Sequence, residues 1–213
     1  MTFLPEPAVL VSYAIASVVL FITPGPDMSL FLSRTVSGGR QAGLASVLGA
    51  CIGSCVHTLL AALGISALLA ASPAAFGLLK AASAVYLLWL AFDAVRNGSA
   101  LNVRPDNLKP ASLAGTFVTG LLVNLTNPKV LLFFISFLPM FVAATDPYAA
   151  HKLLFLGLMF VAICAPLSVV MVLGAERLLT FLRGRPNILK GIDWLFAGVF
   201  GFFAVSILLT ERR

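Results

Sequence analysis

Long apolar segments alternate with short polar segments along this chain of 213 residues. A helix needs about 20 residues to cross roughly 30 Å of hydrocarbon, and stretches of that length with few charges recur along the sequence. We predict an all-α integral membrane protein with six membrane-spanning helices. They lie at residues 7–26, between Arg40 and a turn at 70–73, and at 74–92, 111–145, 153–175 and 194–210.

The stretch at 111–145 is interpreted as one long broken helix. Dividing it into two spans is the alternative, but about 16 residues on each side of the break is short for a full crossing. A polar linker at 93–110 separates two groups of three spans. We expect a first three-helix repeat over 1–95, a cytoplasmic linker over 96–110 and a second three-helix repeat over 111–213. With three spans in each half, the second half enters the membrane in the opposite direction from the first.

Composition excludes the soluble and disordered classes of protein. Hydrophobic residues make up 60% of the chain and charged residues 10%, against about 25% charged in soluble domains. The net charge of +6 does not indicate nucleic-acid binding, because the basic residues occur in short runs between apolar segments. Three cysteines, an odd number and all in apolar stretches, argue against a disulfide framework.

The distribution of Lys and Arg predicts the orientation in the membrane. Loops after the first, third and fifth spans hold nine of these residues, against three or four on the opposite side. By the positive-inside rule, the odd-numbered loops face the cytoplasm and both termini lie outside. The N-terminus lacks the basic region of a signal peptide, so we expect the first apolar segment to be retained.

Proline interrupts the first span of each half, at residues 23–27 and again at 126–129. Aligning the halves on these interruptions places Pro26 on Pro128. Proline-broken helices at corresponding positions of two inverted halves indicate the binding site of a secondary transporter. The alternative is that the prolines merely kink their helices, which is common in membranes.

Each interruption has the sequence of a helix start. Thr23 or Gly25 precedes Pro26, and Asn127 precedes Pro128, which gives a capping residue followed by proline at the first helical position. Free N–H groups at such a start suit a carboxylate, and carbonyl groups ending the preceding segment suit an ammonium. A zwitterion such as an amino acid fits both. The predicted substrate-binding residues are Thr23, Pro24, Gly25, Pro26, Asp27, Asn124, Asn127, Pro128 and Lys129.

Asp27 and Lys129 are charges at membrane depth, where ionisable groups are costly and usually functional. Two interpretations stay open: the two side chains pair and lock the broken helices together, or Asp27 takes up and releases the coupling proton. Asn124, one turn before Pro128, either lines the cavity or makes a plain helix–helix hydrogen bond.

His57 is the second candidate for proton coupling. Ala45, Gly49, Gly53 and His57 recur every four residues and form one helix face. The face suits a close helix contact with a hydrogen-bonded histidine, or a proton relay. We predict no metal site, because no carboxylate or second histidine lies near His57 and the cysteines beside it. No phosphate-binding loop motif occurs, so we expect no cofactor, no catalytic residues, and transport driven by an ion gradient.

The segments at 23–64, 84–96 and 117–141, with PGPD at 24–27 and NPK at 127–129, resemble the LysE/RhtB family of bacterial amino-acid exporters. One departure is Met140, where relatives often have glutamine. The resemblance implies a multi-pass protein of the bacterial inner membrane that exports amino acids or derivatives, in exchange for protons. With the topology above, both termini would be periplasmic. Expected partners are the substrate, protons and lipid, without nucleic acid; a homodimer is left open.

The single acidic side chain well inside a span favours a neutral substrate such as threonine, homoserine or leucine over lysine or arginine. Two rival classes are a membrane thiol-disulfide carrier and a nonselective channel or structural membrane protein. A membrane thiol-disulfide carrier needs a cysteine pair beside the breaks, and the breaks contain none. A nonselective channel or structural membrane protein would lack saturable, gradient-dependent flux.

Overall fold

The computed structural model describes residues 5–97, 112–143, 146–183 and 185–210. These residues form helices joined by short connections, with no strand among them. The predicted all-helical class is thereby confirmed. Most of the predicted linker at 96–110 lies outside the described residues. The helices are α1 Pro7–Ile22, α2 Pro26–Ala71, α3 Pro73–Asn97, α4 Leu113–Thr126, α5 Pro128–Leu132, α6 Ala149–Leu173, α7 Ala175–Arg183 and α8 Pro186–Thr210.

Helix α2 contains 46 residues and changes conformation at Gly39. A straight helix of that length would measure about 70 Å, roughly twice the thickness of a bilayer core. Gly39 has φ 76° and ψ 177°, a left-handed backbone conformation that only glycine adopts without strain. The chain therefore forms two helical segments, 26–38 and 40–71, with Gly39 between them. Ser72 then separates α2 from α3, within the turn predicted at 70–73.

The stretch after α4 is irregular helix. Asn127 interrupts the helix between α4 and α5, and α5 continues into a π-helical turn at Phe133–Phe137 and a 3-10 turn at Leu138–Phe141. The two parts, Leu113–Thr126 and Pro128–Phe141, are bent by 50° at this break. Helices α6 and α8 begin earlier than the spans predicted at 153–175 and 194–210.

Helix α7 was not anticipated from the sequence, which predicts a cytoplasmic loop between the last two spans. It is amphipathic: Leu178 and Leu179 face the protein, whereas Glu176 and Arg177 are exposed. Its apolar side packs on the helices beside it. A short surface helix of this kind lies against the protein body rather than across a membrane.

Three helices in the described residues are long and apolar enough to cross a membrane. They occupy Pro26–Ile65, Ala149–Leu173 and Asn187–Val205. The bent pair formed by α4 and the residues up to Phe141 raises the number to four, and α1 is a shorter apolar helix of 16 residues. The protein is therefore a membrane protein with several apolar helices.

Two separate apolar clusters hold the helices together. The larger cluster joins α1, α6, α8 and the π-helical turn, and its centre is aromatic: Tyr13, Phe133, Phe137 and Phe200 are almost fully buried. The smaller cluster joins the two segments of α2 to the end of α6 and to α7. A cavity lined by members of both clusters contains the candidate site.

Candidate functional site

The central cavity is bounded by the end of α1, both segments of α2, the α4–α5 junction and α6. The centre of a water molecule has about 70 Å³ available to it in this cavity. On the same measure, about 10 to 15 Å³ is enough to hold one water. It has room for several waters or one small organic molecule. Its polar side chains are Asp27, Ser54, Asn124, Asn127, Lys129 and Ser168.

The first interruption lies between α1 and α2. Gly25 is the N-cap of α2, in extended conformation, and no side chain caps the first turn. Thr23 is not the cap, because its hydroxyl donates back to the Val19 carbonyl at 2.8 Å. Pro26 is the first helical residue and Asp27 lies in the first turn. The N–H groups at this start are therefore not satisfied by a capping side chain.

The second interruption, between α4 and α5, is capped differently. Asn127 is the N-cap, and its side-chain oxygen accepts a hydrogen bond from the Lys129 N–H at 3.0 Å. Pro128 takes the first helical position, where its missing N–H costs nothing. Asn127 is 2% exposed, so the cap is built into the interior. Both helix starts have proline at the first position. A side chain caps the start of α5, whereas none caps the start of α2.

Asp27 is held by a residue from the other half of the chain. Asn124 Nδ2 donates to Asp27 Oδ2 at 2.8 Å, and Ser54 Oγ donates to Asn124 Oδ1 at 3.3 Å. His57 Nε2 lies 3.4 Å from the Asn124 carbonyl oxygen. Asp27 Oδ1 is buried and makes no hydrogen bond within the described residues. Asn124 therefore orients the carboxylate, and one carboxylate oxygen is left as an acceptor.

Lys129 does not form an ion pair with Asp27. Its Nζ donates instead to the main-chain carbonyl of Thr23, at the end of α1. An ion pair away from the cavity joins Lys152 and Asp146, 2.6 Å apart. Both opposite charges thus line the cavity without neutralising each other by direct contact.

The small-residue face of α2 packs directly on α4. A Cβ added to Gly49 would overlap the backbone of Phe117, and one added to Gly53 would overlap the Asn124 side chain. This close approach brings Asn124 within reach of Asp27 and Ser54. His57, 4% exposed, stacks on Phe134 with ring centroids 5.5 Å apart.

The structure brings together only part of the predicted set. Of the nine predicted substrate-binding residues, five line the cavity: Gly25, Asp27, Asn124, Asn127 and Lys129. The other four, Thr23, Pro24, Pro26 and Pro128, shape the two interruptions without lining the cavity, although the Thr23 carbonyl holds Lys129. His57 lies behind Asn124 and does not line the cavity.

Several lining residues were missed by sequence reasoning. Ser54 lies one turn before His57 on the same helix, a spacing that could have indicated it. Phe160, Cys164 and Met171 come from α6, whose sequence carries no signal of its approach to the breaks. Cys51 also lines the cavity. The cysteines are free thiols.

The arrangement suits recognition of a small molecule carrying both charges. Lys129 and the uncapped start of α2 offer positive groups to an anion. Asp27 Oδ1 offers an acceptor to a cation. Most of the other lining residues, including Phe31, Val47 and Ala50, are apolar. A few polar groups in a mainly apolar wall are typical of small-molecule sites.

Comparison with known proteins identifies relatives over almost the whole chain. The chain is 32% identical over 204 residues to an uncharacterized membrane protein of Vibrio cholerae serotype O1, covering 95% of this chain and 96% of the relative. It is 27% identical over 202 residues to a homoserine/homoserine lactone efflux protein of Salmonella typhimurium, covering 95% and 96%. An uncharacterized membrane protein of Pseudomonas aeruginosa is 29% identical over 203 residues, covering 92% and 93%.

No solved structure matches the chain. The family described as LysE type translocator matches residues 18–211, a range that includes both interruptions and all the lining residues of the cavity. This confirms the resemblance found in the sequence, and it indicates a transporter rather than an enzyme. The chain therefore belongs to the LysE type translocator family.

Proposed function

We propose that this protein exports neutral amino acids or close derivatives, of the threonine, homoserine or leucine kind, from the cytoplasm in exchange for protons. The observation that carries the proposal is the cavity in which Asp27 and Lys129 are both present and not paired with each other. Family membership supports the transport class. The efflux of homoserine and its lactone, named for the Salmonella typhimurium relative, supports the substrate class.

A zwitterion satisfies both charges of the cavity at once. Its carboxylate is attracted by Lys129 and by the uncapped N–H groups of α2. Its ammonium group is attracted by Asp27 Oδ1, which lacks a hydrogen bond within the described residues. Burying each charge of the ligand beside its opposite offsets part of the desolvation that both partners undergo.

Competition at Asp27 accounts for exchange with protons. The ionised carboxylate attracts an ammonium group, whereas the protonated carboxyl does not. A proton and a substrate therefore exclude one another at this residue, and each must leave before the other binds. Asn124 keeps the carboxylate in place in both states, because its amide donates to one oxygen only.

A neutral side chain fits the rest of the cavity. Asp27 is the only carboxylate among the described residues that line it, and the substrate's own ammonium uses that group. A lysine or arginine side chain would bring a second positive charge beside Lys129 without a second acidic partner. Phe31, Val47 and Met171 offer an apolar wall instead.

The proposed architecture is six spans arranged as two inverted three-helix repeats, with the first span of each repeat broken at proline. The helix starts at Pro26 and Pro128 support it.

We place the protein in the bacterial inner membrane with both termini in the periplasm. Residues Gly39 and Arg40 of one predicted cytoplasmic loop line the same pocket as Glu176 and Arg177 of another, which supports a common side. Reporter fusions after Asn97 and Arg213 should report opposite sides; both on one side would reject the inverted repeat.

Flux measured in vesicles tests the function. Purified protein is reconstituted into proteoliposomes loaded with labelled threonine, homoserine, leucine or arginine, and efflux is followed with and without a pH gradient. We expect saturable flux of the neutral amino acids that accelerates with the gradient, and slower flux of arginine. Flux that does not saturate would indicate a channel. Faster arginine flux would contradict the substrate assignment.

A further inference from the structure

A second cavity lies next to the central one, at the side where the two predicted cytoplasmic loops meet. Its volume is about 540 Å³, and its walls are more polar than those of the central cavity. We call it the vestibule, defined by Thr35, Gly39, Arg40, Ala175, Glu176 and Arg177. Arg40, Glu176 and Arg177 are exposed, so the vestibule opens to water.

The same face of α2 lines both cavities in turn. Met28 and Phe31 line the central cavity, and Thr35 lines the vestibule. These three positions are separated by three and four residues, which places them one above the other on a helix. The step from Phe31 to Thr35 is four residues, or about 6 Å along the axis.

The end of α6 repeats this arrangement. Cys164, Ser168 and Met171 line the central cavity, and Ala175, at the start of α7, lines the vestibule. The spacing of the three α6 residues places them on one face of that helix, and Ala175 follows Gly174, the residue that caps the end of α6. Two facing helix surfaces therefore run from the central cavity to the vestibule, one on each side of the same path.

What separates the two cavities is a thin apolar layer. Phe31, 4% exposed, and Met171, 7% exposed, belong to the smaller apolar cluster together with Leu32 and Val172. The layer is about one helical turn thick. On its other side, the central cavity borders the much larger aromatic cluster around Phe133 and Phe137. The cluster towards the vestibule is thus the smaller of the two.

We propose that Phe31 and Met171 form a gate between the vestibule and the central cavity, through which substrate reaches Asp27 and Lys129. The inference that substrate uses this path rests on the proposed function; the barrier itself does not. The gate opens by rotation of the two side chains and a small separation of α2 from the end of α6. Methionine, with its unbranched flexible side chain, is suited to such a movement.

Native cysteines provide reporters of the gate. Cys51 and Cys164 line the central cavity, behind Phe31 and Met171 as seen from the vestibule, and Cys55 does not line it. A Cys55→Ala background therefore leaves two partly exposed thiols, both in the central cavity beyond Phe31 and Met171 as seen from the vestibule. The reagent is 2-sulfonatoethyl methanethiosulfonate, which is charged and crosses membranes poorly. It is applied to inside-out membrane vesicles, whose outer face is the predicted cytoplasmic side.

We expect slow labelling in the background protein. Labelling should be at least about tenfold faster in the Phe31→Ala, Met171→Ala double variant, because the truncations remove packing that holds the layer closed. Phe200→Ala is the matched control: it deletes a buried aromatic side chain of the larger cluster that lines neither cavity. It should label at the background rate. Phe31→Trp, which enlarges the layer, should label more slowly than the background.

Fast labelling of the background protein from this side would overturn the gate. So would labelling rates in the double variant and in Phe31→Trp that both equal the background rate. Acceleration of labelling by Phe200→Ala equal to that in the double variant would also overturn it. Labelling needs no substrate, so it separates the two proposals. A gate that behaves as described in a protein without amino-acid flux would reject the proposed function and leave the gate. Amino-acid flux in a protein whose labelling these variants do not change would reject the gate and leave the proposed function.

Discussion

Asn124 Nδ2 donates a 2.8 Å hydrogen bond to Asp27 Oδ2, although the two residues are 97 positions apart in the chain. Asn124 also accepts a hydrogen bond from Ser54 and contacts His57 through its carbonyl. Asp27 precedes Gly39 in α2, whereas Ser54 and His57 follow it. One side chain of α4 therefore connects both segments of α2 at the cavity.

Replacing Asp27 tests its coupling role. Asp27→Asn keeps a side chain that hydrogen-bonds but cannot be ionised, so export driven by a pH gradient should be abolished. Exchange of substrate for substrate, which moves no net proton, should be partly retained. Asp146→Asn, the same change outside the spans, is the control and should export normally. Gradient-driven export by Asp27→Asn at the parent rate would rule out the coupling role.

Exchanging the two charges tests the alternative of a structural pair. Lys129 donates to the Thr23 carbonyl and does not pair with Asp27. A double variant carrying Asp27→Lys and Lys129→Asp should therefore remain inactive, because neither group finds its former partner. Normal proton-driven export by this variant would show that the two charges act only as a pair.

Asn124→Ala should lower the rate of transport about tenfold without unfolding the protein. The change removes the donor to Asp27 and leaves buried polar groups without their partner, which typically costs about 1 to 3 kcal/mol. Thr126→Ala is the control, because the exposed Thr126 hydroxyl bonds only to carbonyls of its own helix. Vesicle flux and thermal unfolding are measured for both. Equal rates for the two variants would mean that the Asn124 contact does not matter for transport.

Gly49→Ala should destabilise the protein, by about 1 to 3 kcal/mol, since the added methyl overlaps the Phe117 backbone and forces α2 from α4. Gly64→Ala, in the same helix, meets nothing within 4 Å and should be neutral or stabilising. Thermal unfolding in detergent compares the two. A stable Gly49→Ala protein would contradict the close contact of α2 with α4.

The ion pair outside the spans predicts a pH dependence. Burial alone would raise the pKa of Asp146, but hydrogen bonds from Lys152 and from the Tyr148 N–H outweigh it and lower that pKa below 3.8. A carboxyl whose pKa is lower in the folded protein stabilises the fold at pH values above its pKa in the unfolded chain. This contribution to the free energy of unfolding disappears as the pH falls through the pKa of the folded protein. The parent should unfold at a higher temperature than Asp146→Asn at pH 6, and the difference should shrink below about pH 4. A difference that is constant between pH 6 and pH 3 would contradict this.

Local signals in the sequence account for the helix starts. Proline at the first helical position after Gly25 and after Asn127 marks where α2 and α5 begin, and Ser72 lies in the predicted turn. The reason is that caps, prolines and turns depend on neighbours within a few residues. Asn127 as a cap could be predicted for the same reason.

Contacts between distant helices could not be predicted in this way. Nothing near Lys129 indicates that its partner is a main-chain carbonyl at Thr23 rather than the Asp27 carboxylate. The contribution of α6 to the cavity, through Cys164 and Met171, depends on how the helices pack. The sequence fits both a paired and an unpaired arrangement of the two charges, and three-dimensional packing decides between them.

We propose that the interruptions at Pro26 and Pro128 form the substrate site. The most direct test is the affinity of the purified protein for threonine, homoserine and leucine in the parent, Pro26→Ala and Pro128→Ala. Either change removes a proline that keeps the helix from running through its break, so that backbone groups that would meet the substrate can pair with each other. Pro166→Ala, inside α6 and exposed, is the control. We predict weaker binding in the first two variants, parent-like binding in Pro166→Ala, and stable protein in all. Unchanged affinity in both Pro26→Ala and Pro128→Ala would show that the interruptions are kinks and that the substrate site lies elsewhere.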